Sequence, residues 1–198
     1  TEADAAELVC ATLHFDGGAP NPLTLALPDY IVQPLRELPG LSGNLDWLFA
    51  EAFGEACGRE VVLNRLFELM LIQLLRHLIA TGSITSGMLA GLANPRLARA
   101  LTALHGEPQR AWSVAELADV ANMSRASFAA HFRQVVGVTP ADYLANWRIG
   151  LAQKRLREGR SMALIAAEVG YESPSALART FRRKVGSSPS QWLQQEGA

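Results

Sequence analysis

The sequence predicts a mainly α-helical chain in which two helix-turn-helix units are joined by a long linker helix and preceded by a helical segment and a short β remnant. Three observations carry this. The composition is 49% hydrophobic with only 7% aromatic residues, rich in Ala and Leu and poor in β-type alternation. The C-terminal half nearly repeats itself. Ser, Thr or Asn stands in capping position at one helix start after another, several times followed directly by proline.

Taken in order, Glu7–Phe15 is short, apolar and partly alternating, and Asp16, Gly17 and Gly18 follow as a turn, which predicts a strand. The chain begins at Thr1 without Met and runs almost at once into that strand, so an upstream part of the natural protein is expected. Asn21-Pro22 and then Pro28, Pro34, Pro39 and Gly40 predict loop. Residues 43–57 and 60–81 predict two helices, the second apolar on nearly every face. A helix of that kind needs partners on more than one side. It serves either as a core helix within one chain or as a homodimer contact through 60–81. Asn94-Pro95 opens a further helix running to about His105.

The repeat begins after Trp112. Phe128 aligns with Leu177, Phe132 with Phe181, Gly137 with Gly186, Pro140 with Pro189 and Tyr143 with Trp192, all at an offset of 49. Upstream of the turn, Leu117 aligns with Ile165 and Ala118 with Ala166 at an offset of 48, so the second copy has one extra turn residue. Each copy has the grammar of a helix-turn-helix. In the first, about 113–136, Ser113 caps a short helix with Val114, Leu117, Ala118 and Ala121 on one face. Asn122 and Met123 turn the chain there, and Ser124 caps a helix that buries Phe128, Phe132 and Val135. In the second, about 161–185, Ser161 caps a helix with Ile165, Ala166 and Val169 inward, Gly170, Tyr171 and Glu172 turn, and Ser173-Pro174 opens a helix with Leu177, Phe181 and Val185 inward. Small residues at the crossings, such as Ala118 and Ala166, allow the close approach that sets the second helix for a DNA major groove. Thr139-Pro140 starts the linker helix, 140–158, and Ser188-Pro189 a final one. The linker spans roughly 28 Å at 1.5 Å per residue, near the ~34 Å turn of B-DNA, so two recognition helices could enter successive major-groove segments.

Charge agrees with that division. Residues 1–105 carry six Arg and no Lys against eleven acids, a formal −5, whereas 106–198 carry twelve basic residues against eight acids, a formal +4. No apolar run approaches the ~18 residues of a membrane span, and the acidic N-terminus (Thr1, Glu2, Ala3, Asp4) is unlike a secretory signal, so the cytoplasm is expected and no membrane partner.

The stretches MSRASFAAHFRQVVGVTPADYL, NWRIGLAQKRL and SMALIAAEVGYESPSALARTFRRKVGSSPSQW closely resemble the AraC/XylS family of bacterial transcription regulators, over about residues 95–196. The N-terminal half, through the strand with Cys10 and the later NPLTLALP, resembles the tail of the cupin-like effector domain that many such regulators carry. The resemblance implies residues 1–90 as an effector and dimerization region and 91–198 as a DNA-binding domain. It also implies promoter DNA, RNA polymerase and a small-molecule effector as partners.

On the first recognition helix, Arg125, Ala126, Ala129, Ala130 and Arg133 face away from the core. Alanine can only touch a thymine methyl, so direct readout there rests on Arg125 and Arg133. On the second, Pro174, Ser175, Ala176, Arg179 and Arg182 face outward; by resemblance Ser175, Ala176 and Arg179 fall where the family reads bases. Each such arginine could instead touch only phosphate or solvent. Phosphate contacts are expected from Arg148, Lys154, Arg182, Arg183 and Lys184, and from the capped helix starts at Ser113, Ser124 and Ser173.

Other chemistries find little support. His14, His77, His105 and His131 are scattered singly, and Cys10 and Cys57 form no CxxC pair. On a strand Cys10 and His14 would stand ~13 Å apart, too far to share an ion. A metal-dependent cupin enzyme would need a His-x-His strand, and none is present. Neither a GxSxG elbow nor a glycine-rich phosphate loop occurs, and no enzyme activity, metal or cofactor is expected. Two alternatives stand beside the regulator: a helical protein-interaction module without sequence-specific DNA binding, and effector or redox sensing through Cys10.

Overall fold

A computed structural model describes residues 9–12, 27, 30–38 and 40–196. Apart from Leu27, the described residues up to Ser83 form one compact unit and those from Ile84 onward a second.

In the first unit a single 3₁₀ turn, Leu35–Glu37, precedes helices α1 (Ser42–Phe53) and α2 (Arg59–Ala80), which pack on each other. Helix α1 stops four residues short of the predicted end because Gly54 turns to extended backbone, with ψ 170°. Leu48, Leu66 and Leu78 are buried, while Val61, Leu69 and Ile72 of α2 are exposed. The strand predicted over Glu7–Phe15 is not found at 9–12, which have no regular structure; the rest of it lies outside the described residues.

The second unit holds α3 (Gly87–Ala93), α4 (Pro95–Gly106), α5 (Val114–Val120), α6 (Arg125–Val136), α7 (Pro140–Arg157), α8 (Met162–Glu168), α9 (Pro174–Val185) and α10 (Pro189–Glu196). Helix α3 has no counterpart in the sequence reading, being a short GMLAGLA segment whose glycines weaken helix propensity. Tertiary contact holds it: a Cβ on Gly91 would stand 2.7 Å from Leu101 Cδ1 and 3.0 Å from Val136 Cγ2, so glycine lets α3 lie this close to α4 and α6 without those side chains shifting.

Two separate apolar cores follow the repeat. The first gathers Leu97, Leu101 and Leu104 of α4, Leu117 and Ala118 of α5, Phe128 and Phe132 of α6, and Tyr143 and Leu144 of α7. The second gathers Ile149, Ala152 and Leu156 of α7, Ile165 and Ala166 of α8, Leu177 and Phe181 of α9, and Trp192 of α10. Helix α7, about 27 Å long, therefore gives its first turns to one core and the remainder to the other. His105 ties α4 to α7, its Nε2 2.7 Å from the Tyr143 hydroxyl and its ring stacked on Trp147 at 4.0 Å.

The turns match as well. Asn122 (φ 53°) and Gly170 (φ 81°) are both left-handed, and the next amide bonds back in the same way: Met123 N to Ala118 O at 2.9 Å and Tyr171 N to Ala166 O at 2.8 Å. These bonds close the short helix and aim the chain into α6 and α9.

Candidate nucleic-acid interface

Helices α6 and α9 are the second helices of the two units, and each buries two large side chains completely: Phe128 and Phe132, then Leu177 and Phe181. That anchors one face and leaves the opposite face to solvent. Side-chain caps start both helices, Ser124 Oγ accepting from Ser127 N at 3.3 Å and Ser173 Oγ from Ala176 N at 3.2 Å. Neither helix contains an acidic residue, so each presents an N-terminal dipole and positive charge together.

On the open face of α6, Arg125, Ala126, Ala130 and Arg133 are exposed and Ala129 is half-buried; on α9, Ser175 and Arg179 are exposed and Ala176 is half-buried. Two further residues share the α6 face, Ser127 and Gln134, both exposed. The offset of 49 pairs Gln134 with Arg183 and Ala130 with Arg179, so the repeat aligns exposed Gln134 with an exposed arginine. Alongside α6 an open groove of about 620 Å³ is lined by Ser127, Ala130, His131 and Gln134 together with Asn94, Pro95, Arg96 and Met123. Asn94 Nδ2 lies 3.0 Å from His131 Nε2 there, tying the start of α4 to α6.

Among the residues expected at phosphate, Lys154, Arg182 and Arg183 are exposed. Lys184 is engaged within the domain, its Nζ 3.2 Å from Asp142 Oδ1 on α7. Arg148 and Ser113 are engaged within the domain as well. Arg148 points inward: its Nε donates to Pro108 O at 2.7 Å, its Nη2 to Arg110 O at 2.9 Å and its Nη1 to Gly170 O at 3.1 Å. Half-burial lowers its pKa from the usual arginine value, and three of its five N–H donors are taken by these carbonyls. Ser113 is likewise occupied. Its N–H donates to Glu116 Oε2 at 2.8 Å while its Oγ accepts from Glu116 N at 3.2 Å, and Arg110 adds a 2.9 Å bond to Glu116 Oε1. The Ser113 amide and hydroxyl, with Arg110 beside them, push the Glu116 pKa down to about 2. The start of α5 thus already holds an anion, and a phosphate would meet a carboxylate there.

Cys10 and Cys57 are both free and exposed. No group of three or more potential metal ligands occurs among the described residues, and no described helix is long and apolar enough to cross a membrane.

Two matched helix-turn-helix units, each with an anchored inner face and an acid-free outer face on its second helix, make residues 84–196 a double helix-turn-helix DNA-binding domain. Both halves of the chain are similar to known families. A helix-turn-helix domain family matches residues 117–195 and a cupin family matches residues 1–80. The chain is 48% identical over 131 residues to a putative AraC-like transcription regulator of Streptomyces lividans, covering 65% of this chain and 43% of that protein. It is 32% identical over 187 residues to an uncharacterized HTH-type transcriptional regulator of Haemophilus influenzae, covering 94% and 62%. Among solved structures, the DNA-binding domain of AdpA in complex with a target DNA is 32% identical, with 52% of this chain and 93% of that one covered and a TM-score of 0.49. The chain is similar to AraC-like transcription regulators, and it spans less than two thirds of the length of the Streptomyces and Haemophilus relatives.

Proposed function

We propose that this chain is a sequence-specific transcription regulator that reads promoter DNA through α6 and α9, and that a small molecule or chemical signal acts on it through the cupin-matching N-terminal region. The single observation behind this is the paired architecture: two capped, acid-free, exposed helices held on equivalent cores. Base contacts come from Arg125, Ala126, Ala129, Ala130, Arg133, Ser175, Ala176 and Arg179, with Arg179 the principal reader of guanine. Phosphate contacts come from Lys154, Arg182 and Arg183 and from the amides behind Ser124 and Ser173. The protein acts in the bacterial cytoplasm without enzymatic chemistry, and RNA polymerase is its partner at the promoter. The exposed Val61, Leu69 and Ile72 on α2 favour that helix as a homodimer contact.

Fluorescence anisotropy against promoter and scrambled DNA across a salt series, with wild type and Arg179→Ala, tests this reading. Promoter-selective binding that Arg179→Ala weakens by ~1–3 kcal/mol is expected. Weak binding, equal on both DNAs and untouched by the substitution, would overturn it in favour of a protein-interaction module.

A further inference from the structure

Three pieces of chain meet at one guanidinium. Arg148 belongs to α7, between the residues that α7 gives to the first core and those it gives to the second. Two of its bonds, to Pro108 O and Arg110 O, go to the loop that leads into the first helix-turn-helix. The third, to Gly170 O, goes to the turn of the second, and the guanidinium lies 5.6 Å from the centroid of the Tyr171 ring in that turn. Gly170 itself rests on the loop: a Cβ there would run into the carbonyl oxygen and Cα of Gln109. The fold thus joins the two helix-turn-helix units not only along α7 but also off its axis through this contact.

The second attachment matters mechanically. Two bodies on a single helix can swivel as that helix bends or twists, but a contact away from the axis opposes the swivel. A planar fork with donors pointing in fixed directions can hold carbonyls from separate segments at once; an ammonium on a flexible stem cannot reproduce that geometry. Successive base pairs displace a DNA half-site by about 3.4 Å and rotate it by roughly 35°, since a turn takes 10–10.5 base pairs. A reading head that cannot swivel accepts one such phase.

We propose that Arg148, seated against Gly170 and the 108–110 loop, is a positioning residue that locks α6 and α9 into one reading head and so sets the half-site spacing the domain accepts. This rests on the reading that both helices contact DNA. It assigns specificity to a side chain that touches none.

The test uses the full chain and a two-half-site duplex selected with it from random DNA, alongside versions with one base pair inserted or deleted between the half-sites and duplexes holding one half-site alone. Wild type is expected to lose about tenfold or more on either spacing change, as for a mismatched base pair. Arg148→Lys is expected to lose threefold or less while binding each single half-site within twofold of wild type. Gly170→Ala, which forces the turn off the loop, is the second variant and is expected to shift the preferred spacing. A folded variant of either kind with the wild-type spacing ratio overturns the proposal. Spin labels at Ala115→Cys and Ala163→Cys, on α5 and α8 in a Cys10→Ser, Cys57→Ser background, give an arm without DNA. Their distance distribution should be narrow with Arg148 and broader with Lys, and equal widths count against the lock. If wild type selects no DNA while the label distances respond, the DNA reading has failed and the spacing claim with it. If selection succeeds with unchanged spacing and widths, only the lock has failed.

Discussion

In the first helix-turn-helix, α6 is packed by α3, α5 and α7; in the second, α9 is packed by α7, α8 and α10. The supports differ in kind, the first drawing on a helix from upstream in the chain and the second on one from downstream, yet the inner faces are nearly interchangeable: Phe132 and Phe181 are both fully buried at the same place in the repeat. The outer faces have gone separate ways. Where α9 sets Ser175, Arg179 and Arg183, α6 sets Ala126, Ala130 and Gln134. The interior constrains what it encloses by close packing, so the cores have kept their pattern while the open faces have changed. At these three places α6 presents two methyl groups and an amide, and α9 a hydroxyl and two guanidinium groups.

The largest expected effect probes the shared part of that comparison. Phe132→Ala and Phe181→Ala should each lower stability by about 3–5 kcal/mol in chemical denaturation, since each removes a fully buried ring. A loss below about 1 kcal/mol from one of them would show that the two cores are not equivalent. Next comes the part that differs. Putting the α9 residue at the equivalent α6 position, Ala130→Arg should change discrimination at the base pair it faces by about 1–3 kcal/mol, as measured by anisotropy on base-substituted duplexes. Unchanged discrimination at every base pair would place Ala130 off the base edges.

A smaller pair of substitutions tests the helix starts. Ser124→Ala and Ser173→Ala should each cost ~1 kcal/mol by thermal or denaturant unfolding, because each leaves an amide of the first turn without its acceptor. The smallest effect is the pH dependence of a capping box that the first helix-turn-helix has and the second does not. Glu116 completes a capping box with Ser113, and Leu164 occupies the equivalent place after Ser161. The folded-state pKa of Glu116, about 2, is below the ordinary 4.5, so its contribution is present above pH 4.5 and is lost as pH falls from there toward 2. The denaturation midpoint of wild type should therefore fall over that window more than that of Glu116→Gln. Parallel pH profiles would show that the box adds nothing in the folded chain.

Much of this was legible in the residues. The serine caps, the turns at Asn122 and Gly170 and the inward positions of Phe132 and Phe181 all follow from residues within one or two helical turns. Longer reach failed in identifiable ways. Helix α3 was invisible because GMLAGLA has poor intrinsic propensity and exists by virtue of the α4 and α6 surfaces that receive Gly91.

The division between sequence and tertiary structure is clearest in the basic residues. The repeat alone determined which faces are inward, because apolar side chains at helical spacing can be buried only one way round. What each long polar side chain does was decided by the fold. Arg148 and Arg179 look alike in the sequence, but one finds three carbonyls, from segments 22 to 40 residues away, within reach of its fork, while the other stands exposed on α9. A flexible cation takes whatever acceptors the assembled chain brings to it, and that is a property of the packed domain as a whole.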